Sequence, residues 1–114
     1  MVKRKSYIPD KQDIVWLDFN PRKGHEQSGI RPALVLSPIF YNQKTGLALF
    51  CPLTTQIKGY PFEVLLPEGL KMTGAILADH IKNLDWRLRK ARFYDRIPYS
   101  IYQQVIQKLM ALVS

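Results

Sequence analysis

Residues 24–32 crowd together groups that can move protons and bind anions. The stretch reads G-H-E-Q-S-G-I-R-P, so His25, Glu26 and Arg31 stand between two glycines and a proline. Glycine permits backbone angles that other residues avoid, and Pro32 favours an extended residue before it. The pattern predicts an irregular loop, and loops positioned by a scaffold often carry chemistry.

Cleavage of RNA by its own 2′-hydroxyl fits this set of groups, because the nucleophile then belongs to the substrate. The protein supplies a base, an acid for the leaving 5′-oxygen, and donors around the phosphorane. We expect Glu26 to act as the base and Arg31 to hold the phosphate through its fork of donors. His25 is the group best matched to neutral pH. Thr54 and Thr55 offer hydroxyls just past a predicted strand.

Each of these residues also has a structural interpretation. Glu26 and Arg31 alone are compatible with a surface ion pair worth less than about 1 kcal/mol. The two threonines are compatible with strand-end residues that bond to their own backbone. His80, the second histidine, is typical of a structural histidine. The residue types therefore indicate a chemistry without assigning it.

Positive charge is concentrated in two segments. Seventeen basic and nine acidic residues give a net charge of +8. Residues 1–31 carry seven basic and four acidic groups, and residues 82–96 carry six and two, whereas residues 32–81 are neutral. This distribution favours a polyanionic partner. The alternative is a basic, solvated surface without a specific ligand.

Several classes of protein are disfavoured by what the sequence lacks. The two histidines and one cysteine match no zinc or calcium spacing, and no phosphate-binding or dinucleotide motif is present. We therefore expect no metal and no cofactor. Cys51 cannot form an internal disulfide and is predicted to be a buried thiol in a reducing compartment. No secretion signal or apolar run of about 20 residues occurs, so we expect a cytoplasmic protein.

The elements that must position these groups are mostly short strands. Strands are predicted over residues 13–19, 31–37, 47–54, 62–66, 73–79 and 87–93. Residues 80–86 would continue the fifth strand after a bend, and residues 38–46 would hold a turn with about one helical turn. A helix is predicted after Pro98, with an apolar stripe at Ile101, Val105, Leu109 and Leu112, widened by Tyr102, Ile106 and Val113. Phe19, Trp16 and Trp86 are predicted to be core residues.

This order of elements predicts one domain over residues 1–114, mainly β with a small α component. Strands follow one another without intervening helices, which favours a small antiparallel barrel or half-barrel closed by one helix. A doubly wound parallel sheet is disfavoured for the same reason.

The chain resembles the MazF/PemK toxins of bacterial toxin–antitoxin systems, and the MazF branch most closely. The resemblance is carried by D-I-V-W-L-D-F-N-P at residues 13–21 followed by G-H-E-Q-S-G-I-R-P. It continues in P-L-T-T-Q at residues 52–56 and G-Y-P-F-E at residues 59–63. It extends through residues 74–79 and 86–89.

The resemblance implies an SH3-like barrel of the CcdB/PemK type, a homodimer, and metal-independent, sequence-specific cleavage of single-stranded RNA. The products would be a 2′,3′-cyclic phosphate and a 5′-hydroxyl. It also implies a cognate acidic MazE-like antitoxin. The matched catalytic residues are Glu26, Arg31 and Thr54.

Further positions carry weaker assignments. His25 and Asp79 match residues used by the PemK-like branch, although Leu77 stands where that branch has an arginine. Gln27 and Thr55 are further candidates for catalysis or RNA binding. The RNA-binding cations are predicted to be Lys23, Lys58, Arg87 and Arg89.

Two other functions remain compatible with the sequence. One is a toxin of the same fold that binds a protein target such as DNA gyrase. The other is a catalytically inactive RNA-binding barrel. RNA cleavage in a cell-free assay distinguishes both from an endoribonuclease.

Overall fold

The computed structural model describes residues 6–19 and 29–114. This part of the chain contains a seven-stranded antiparallel sheet and two helices. The strands are β1 (Asp13–Asp18), β2 (Ile30–Val35), β3 (Leu47–Thr54), β4 (Glu63–Leu65), β5 (Ala75–Leu77), β6 (Lys82–Asp85) and β7 (Arg92–Arg96). The helices are α1 (Ile39–Thr45) and α2 (Tyr99–Val113).

Strand β2 lies between β1 and β3 and is covered on both faces. Its continuous apolar run sends alternate side chains into two separate cores. Ala33 and Val35 join one core with Phe50 and Trp86, whereas Leu34 packs in the other. The prediction of a central strand with two covered faces is confirmed, because apolar residues at consecutive positions need an apolar partner on each side.

Strand β3 holds the sheet together along its whole length. One edge pairs with β2, while the other edge pairs with β6 near Leu47 and with β5 near Thr54. The path of strands runs β4-β5-β3-β2-β1-β7, and within the described residues its two end strands do not pair with each other. The mainly β class is confirmed, and the sheet is an open one.

Helix α2 covers the core that contains Leu34. Tyr102 and Val105 are buried in this core, and the Tyr102 hydroxyl donates a hydrogen bond of 2.6 Å to the Leu36 carbonyl. Ile101, Ile106 and Leu109 also pack against this core, so the predicted apolar stripe is confirmed from Ile101 to Leu109. It fails at the last turn, where Leu112 and Val113 are 49% and 75% exposed because no other described element packs on them.

The buried amide of Asn42 joins three parts of the chain. Its Nδ2 donates to the Pro9 carbonyl at 2.7 Å and to the Ser37 carbonyl at 3.0 Å. The main-chain carbonyl of Asn42 accepts a hydrogen bond of 2.8 Å from Trp86 Nε1. A buried polar group is tolerated only when such partners are present. Asn42 thus fixes Trp86 and the turn that follows it.

The prediction of a strand over residues 87–93 is wrong. Residues 86–90 form a turn in which Ala91 N–H donates to the Trp86 carbonyl at 2.9 Å, and β7 begins only at Arg92. Lys90 adopts a positive φ of 57°. Burial of Trp86 at one end of the segment bends the chain, and pattern alone did not predict this. The helix α1 is also longer than the single turn that was expected.

Candidate functional site

Arg31 and Thr54 come together through the pairing of β2 with β3. Their register places Ala33 opposite Pro52, and continuing it by two residues places Arg31 opposite Thr54. Opposed residues in an antiparallel pair project from the same face. Both residues line a cavity of about 320 Å³. The other lining residues of this Arg31 cavity are Pro32, Leu53, Thr55, Gln56 and Met72.

The Thr54 hydroxyl is fixed by its own backbone. Its Oγ1 accepts a hydrogen bond of 3.0 Å from the Gln56 N–H. The structural interpretation of Thr54 is therefore confirmed. It does not exclude a chemical role, because a hydroxyl that accepts one bond still has its hydrogen to donate. The local bond orients the group that faces the cavity.

Gly74 holds the end of β3 in place by a close approach that the sequence did not reveal. A Cβ at this position would lie 2.1 Å from the Thr54 carbonyl oxygen, and the residue has a φ of +140°. Its own carbonyl accepts from the Leu66 N–H at 2.9 Å. A glycine at the start of a strand can signal such an approach, but only the fold identifies its partner.

A second cavity adjoins the first. Thr54 and Gln56 line both, and the second has a volume of about 270 Å³. We call it the Lys58 cavity; its other walls are Lys58, Tyr60, Glu63, Leu77 and His80. The predicted cation Lys58 therefore shares a cavity with Thr54 that Arg31 does not line.

Glu63 fixes the main chain around Lys58. Its carboxylate accepts from the Gly59 N–H at 2.9 Å and from the Lys58 N–H at 3.2 Å. Hydrogen bonds from backbone donors to a carboxylate are among the stronger ones in proteins. On the far side, Lys108 of α2 donates to the Pro61 carbonyl. Sequence reasoning missed Glu63 as an anchor, since its partners are backbone groups that carry no pattern.

Replacing Glu63 with glutamine should loosen this connection. The side-chain oxygen of glutamine can still accept one of these hydrogen bonds. Its NH₂ group is itself a donor and cannot accept the other. We expect hydrogen exchange of the Lys58 and Gly59 amides to rise about tenfold, as for the loss of roughly 1.4 kcal/mol. Glu68→Gln, an exposed change of the same type, is the matched control and should leave both amides unchanged. Equal hydrogen-exchange rates of these two amides in Glu63→Gln and in the wild type would show that Glu63 does not hold this segment in place.

Asp79 and His80 form the turn after β5. The Asp79 carboxylate lies 3.7 Å from His80 Nε2, and both side chains are partly exposed. His80 lines the Lys58 cavity, with Leu77 beside it. The turn is held by a hydrogen bond of 3.0 Å from the Ala78 N–H to the Phe62 carbonyl.

The predicted cations Arg87 and Arg89 lie in the turn after β6. Arg87 stacks on the Trp86 ring with its Cζ 4.7 Å from the ring centroid, and it lines a depression with Lys90. Arg89 donates to the Asp18 carbonyl at 3.3 Å, at the end of β1. Neither residue lines the Arg31 or the Lys58 cavity.

Two of the three aromatic residues predicted to be core residues are buried. Phe19 and Trp86 are buried in the core that contains Val35. Trp16 is partly buried and packs on Tyr94 with ring centroids 4.7 Å apart. The prediction that these rings belong to the protein interior is confirmed for Phe19 and Trp86.

Four predicted site residues lie outside the described residues. They are Lys23, His25, Glu26 and Gln27, together with most of the loop predicted at residues 24–32. Their roles stay predictions.

Cys51 is a buried thiol, as the sequence predicted. Burial, with a smaller effect from the Asp79 carboxylate, raises the pKa of this thiol to about 12. The thiolate needed for nucleophilic chemistry is therefore disfavoured at neutral pH. Within residues 6–19 and 29–114, no three His, Cys, Asp or Glu side chains group as metal ligands would. No helix in these ranges has the length and apolar character to cross a membrane.

This chain is similar in sequence to several known proteins. A family model described as PemK-like, MazF-like toxin of type II toxin–antitoxin system matches residues 10–113. Endoribonuclease toxin MazF of Escherichia coli strain K12 is 48% identical over 107 residues, which cover 94% of this chain and 96% of that protein. Endoribonuclease PemK of Escherichia coli is 29% identical over 118 residues, covering 100% and 88%.

The chain is also similar to solved structures. The crystal structure of MazF (Form-I) from Deinococcus radiodurans is 51% identical, with a TM-score of 0.88 and coverage of 95% of this chain and 98% of that one. A MazE-MazF structure (Form-II) from the same organism has a TM-score of 0.86 at 46% identity, covering 96% and 98%.

Proposed function

Because this chain belongs to the family of PemK-like, MazF-like toxins of type II toxin–antitoxin systems, we propose that it cleaves single-stranded RNA at the Arg31 cavity. The observation that carries the proposal is the cavity that Arg31, at the start of β2, and Thr54, at the end of β3, line together. Together they present a guanidinium and a hydroxyl donor to a single bound group, which suits a phosphate.

The proposed reaction uses the 2′-hydroxyl of RNA. The 2′-oxygen forms a bond to phosphorus and the bond between phosphorus and the 5′-oxygen breaks. The leaving 5′-oxygen takes up a proton from water, so that a 2′,3′-cyclic phosphate and a 5′-hydroxyl result. Glu26 takes the proton from the 2′-hydroxyl. Arg31 stabilises the charge on the phosphorane, and Thr54 donates a hydrogen bond to a phosphate oxygen.

The remaining assignments extend this site. Lys58 lines one cavity with Thr54 and would contact the RNA backbone there. Arg87 and Arg89, which line neither cavity, would bind RNA farther from the cut. Lys23 stays a predicted RNA-binding cation. His25, Gln27, Thr55 and Asp79 are candidates for contacts with the substrate.

We further propose that the chain acts as a single domain, forms a homodimer, works in the cytoplasm and is inhibited by an acidic MazE-like antitoxin. The net charge of +8 supports both ligands, because one basic surface attracts RNA and an acidic peptide alike. MazE-MazF complexes are known for the Deinococcus radiodurans relative.

Cleavage of defined RNA tests the proposal. The cut site is first located by sequencing the 5′ ends of fragments that the purified protein makes from cellular RNA in EDTA. A synthetic oligomer with that site should be cut to a 5′-hydroxyl product, whereas the same oligomer with one 2′-deoxy nucleotide at the cut should stay intact.

Three outcomes contradict the proposal. Equal cleavage of both oligomers refutes attack by the 2′-hydroxyl. Salt-dependent binding without products indicates an inactive RNA-binding protein. The absence of both binding and cleavage points to a protein target.

A further inference from the structure

Two adjacent residues of β7 hold one wall of the Arg31 cavity, although neither of them lines it. The wall is Met72, in the connection between β4 and β5. Lys71, the residue before it, donates its main-chain N–H to Asp95 Oδ2 at 2.8 Å. The Tyr94 hydroxyl donates to the Lys71 carbonyl at 3.3 Å. Both main-chain groups of Lys71 are therefore bound by β7.

The Tyr94 ring connects a second wall of the cavity to the same strand. This ring packs on Trp16 with the two ring centroids 4.7 Å apart, and Lys71 Nζ lies 5.6 Å from its centroid. Trp16 is paired in the sheet with Pro32, which lines the Arg31 cavity. Contacts of a ring with a second ring and with a cation are both favourable, so they stabilise this arrangement.

We propose that Asp95 is a positioning residue for RNA binding, which holds the main chain of Lys71 so that Met72 stays in place as one side of the Arg31 cavity. The inference rests on the proposed function, since it takes RNA as the ligand. Asp95 Oδ1 accepts a hydrogen bond of 2.8 Å from the Arg96 N–H, so the carboxylate is itself held in one orientation. A wall that is fixed before binding does not have to be ordered by the ligand, which favours affinity.

The test measures the Kd of the RNA oligomer that carries one 2′-deoxy nucleotide at the cut site. Asp95→Ala should raise this Kd about tenfold, because Met72 must then be ordered on binding. Loss of a negative charge by itself favours RNA binding, so the expected change is opposite to the effect of charge. Glu68→Ala removes the same charge from an exposed position in the same connection; it is the matched control and should not raise the Kd. Asp95→Asn keeps one accepting oxygen and should recover part of the affinity.

A double-mutant cycle with Met72 separates positioning from a general effect on the fold. In the Met72→Ala background, Asp95→Ala should change the Kd by less than about twofold, because the wall that Asp95 positions is gone. Hydrogen exchange of the Lys71 amide should become faster on Asp95→Ala in both backgrounds. In single-turnover cleavage of the all-ribose oligomer, Asp95→Ala should raise the half-saturating protein concentration and leave the maximal rate nearly unchanged.

The inference is overturned if Asp95→Ala leaves the Kd unchanged, or if its effect is equally large in the Met72→Ala background. Normal cleavage by the wild type together with either result leaves the proposed function standing. A protein that shows the expected coupling in Kd but does not cut would refute the proposed function and leave Asp95 as a positioning residue for RNA binding. Absence of RNA binding by the wild type contradicts both proposals.

Discussion

Replacing Arg31 with alanine is expected to lower kcat/KM for RNA cleavage by about 10²–10³-fold, the usual effect of removing one donor to a developing anion. Arg31 lies opposite Thr54 in the strand register and lines the same cavity. The side chain is exposed at the start of β2, so its loss removes a charge without opening the core. Cleavage should be measured in single-turnover reactions on the defined oligomer.

Two further variants separate the effect of the guanidinium group from the effect of net charge. Arg31→Lys keeps the charge but not the planar fork of donors and should recover only part of the activity. Arg92→Ala removes the same charge from an exposed position on β7, which β1 separates from β2. Arg92 does not line the Arg31 cavity, so activity should change by less than about threefold. Equal losses for Arg31→Ala and Arg92→Ala would show that only net charge matters. Circular dichroism and thermal unfolding check that each variant is folded.

Replacing Gly74 with alanine is expected to cost at least about 3 kcal/mol of unfolding free energy and to remove most of the cleavage activity. A Cβ cannot stand 2.1 Å from the Thr54 carbonyl oxygen, so the end of β3 must move. That movement carries Thr54 away from Arg31 and disturbs the pairing of Thr54 with Ala75. Urea unfolding and single-turnover cleavage measure the two effects.

Gly69→Ala is the matched control for Gly74→Ala. Gly69 also has a positive φ, at 96°, but a Cβ there meets no atom within 4 Å. Its substitution should cost only about 1–2 kcal/mol from backbone strain and leave cleavage nearly unchanged. If Gly74→Ala behaves like Gly69→Ala, then the contact with Thr54 does not hold the site in place.

Local sequence patterns predicted the elements whose side chains face a core along their whole length. Strand β3 has the bounds that its apolar run predicted, and α2 begins directly after Pro98. The turn at residues 86–90 was missed, because its shape depends on the burial of Trp86 against α1. Leu112 and Val113 were assigned to a packed stripe, yet periodicity cannot show whether an element lies opposite.

The sequence indicated individual residues of the candidate site but not how these residues are arranged relative to one another. Arg31 and Thr54 were each recognised by residue type and by the family resemblance, but their pairing depends on the register of β2 with β3. Gly74 and Glu63 act on backbone atoms of distant residues, and such contacts leave no spacing rule in a sequence. His80 lines one cavity with Lys58, and no spacing in the sequence relates these two residues.

Glu63 holds the connection between β3 and β4, and this affects which substitutions that segment can accept. Glu63 binds main-chain amides at Lys58 and Gly59, so the path of this segment depends little on which side chains it displays. Ile57 and Tyr60 stand exposed on it, 52% and 56% respectively. Substitutions at such positions alter what the surface presents while the scaffold beneath stays constant. Single substitutions at Ile57 or Tyr60 should therefore change the surface that the proposed RNA ligand meets without lowering the stability of the fold.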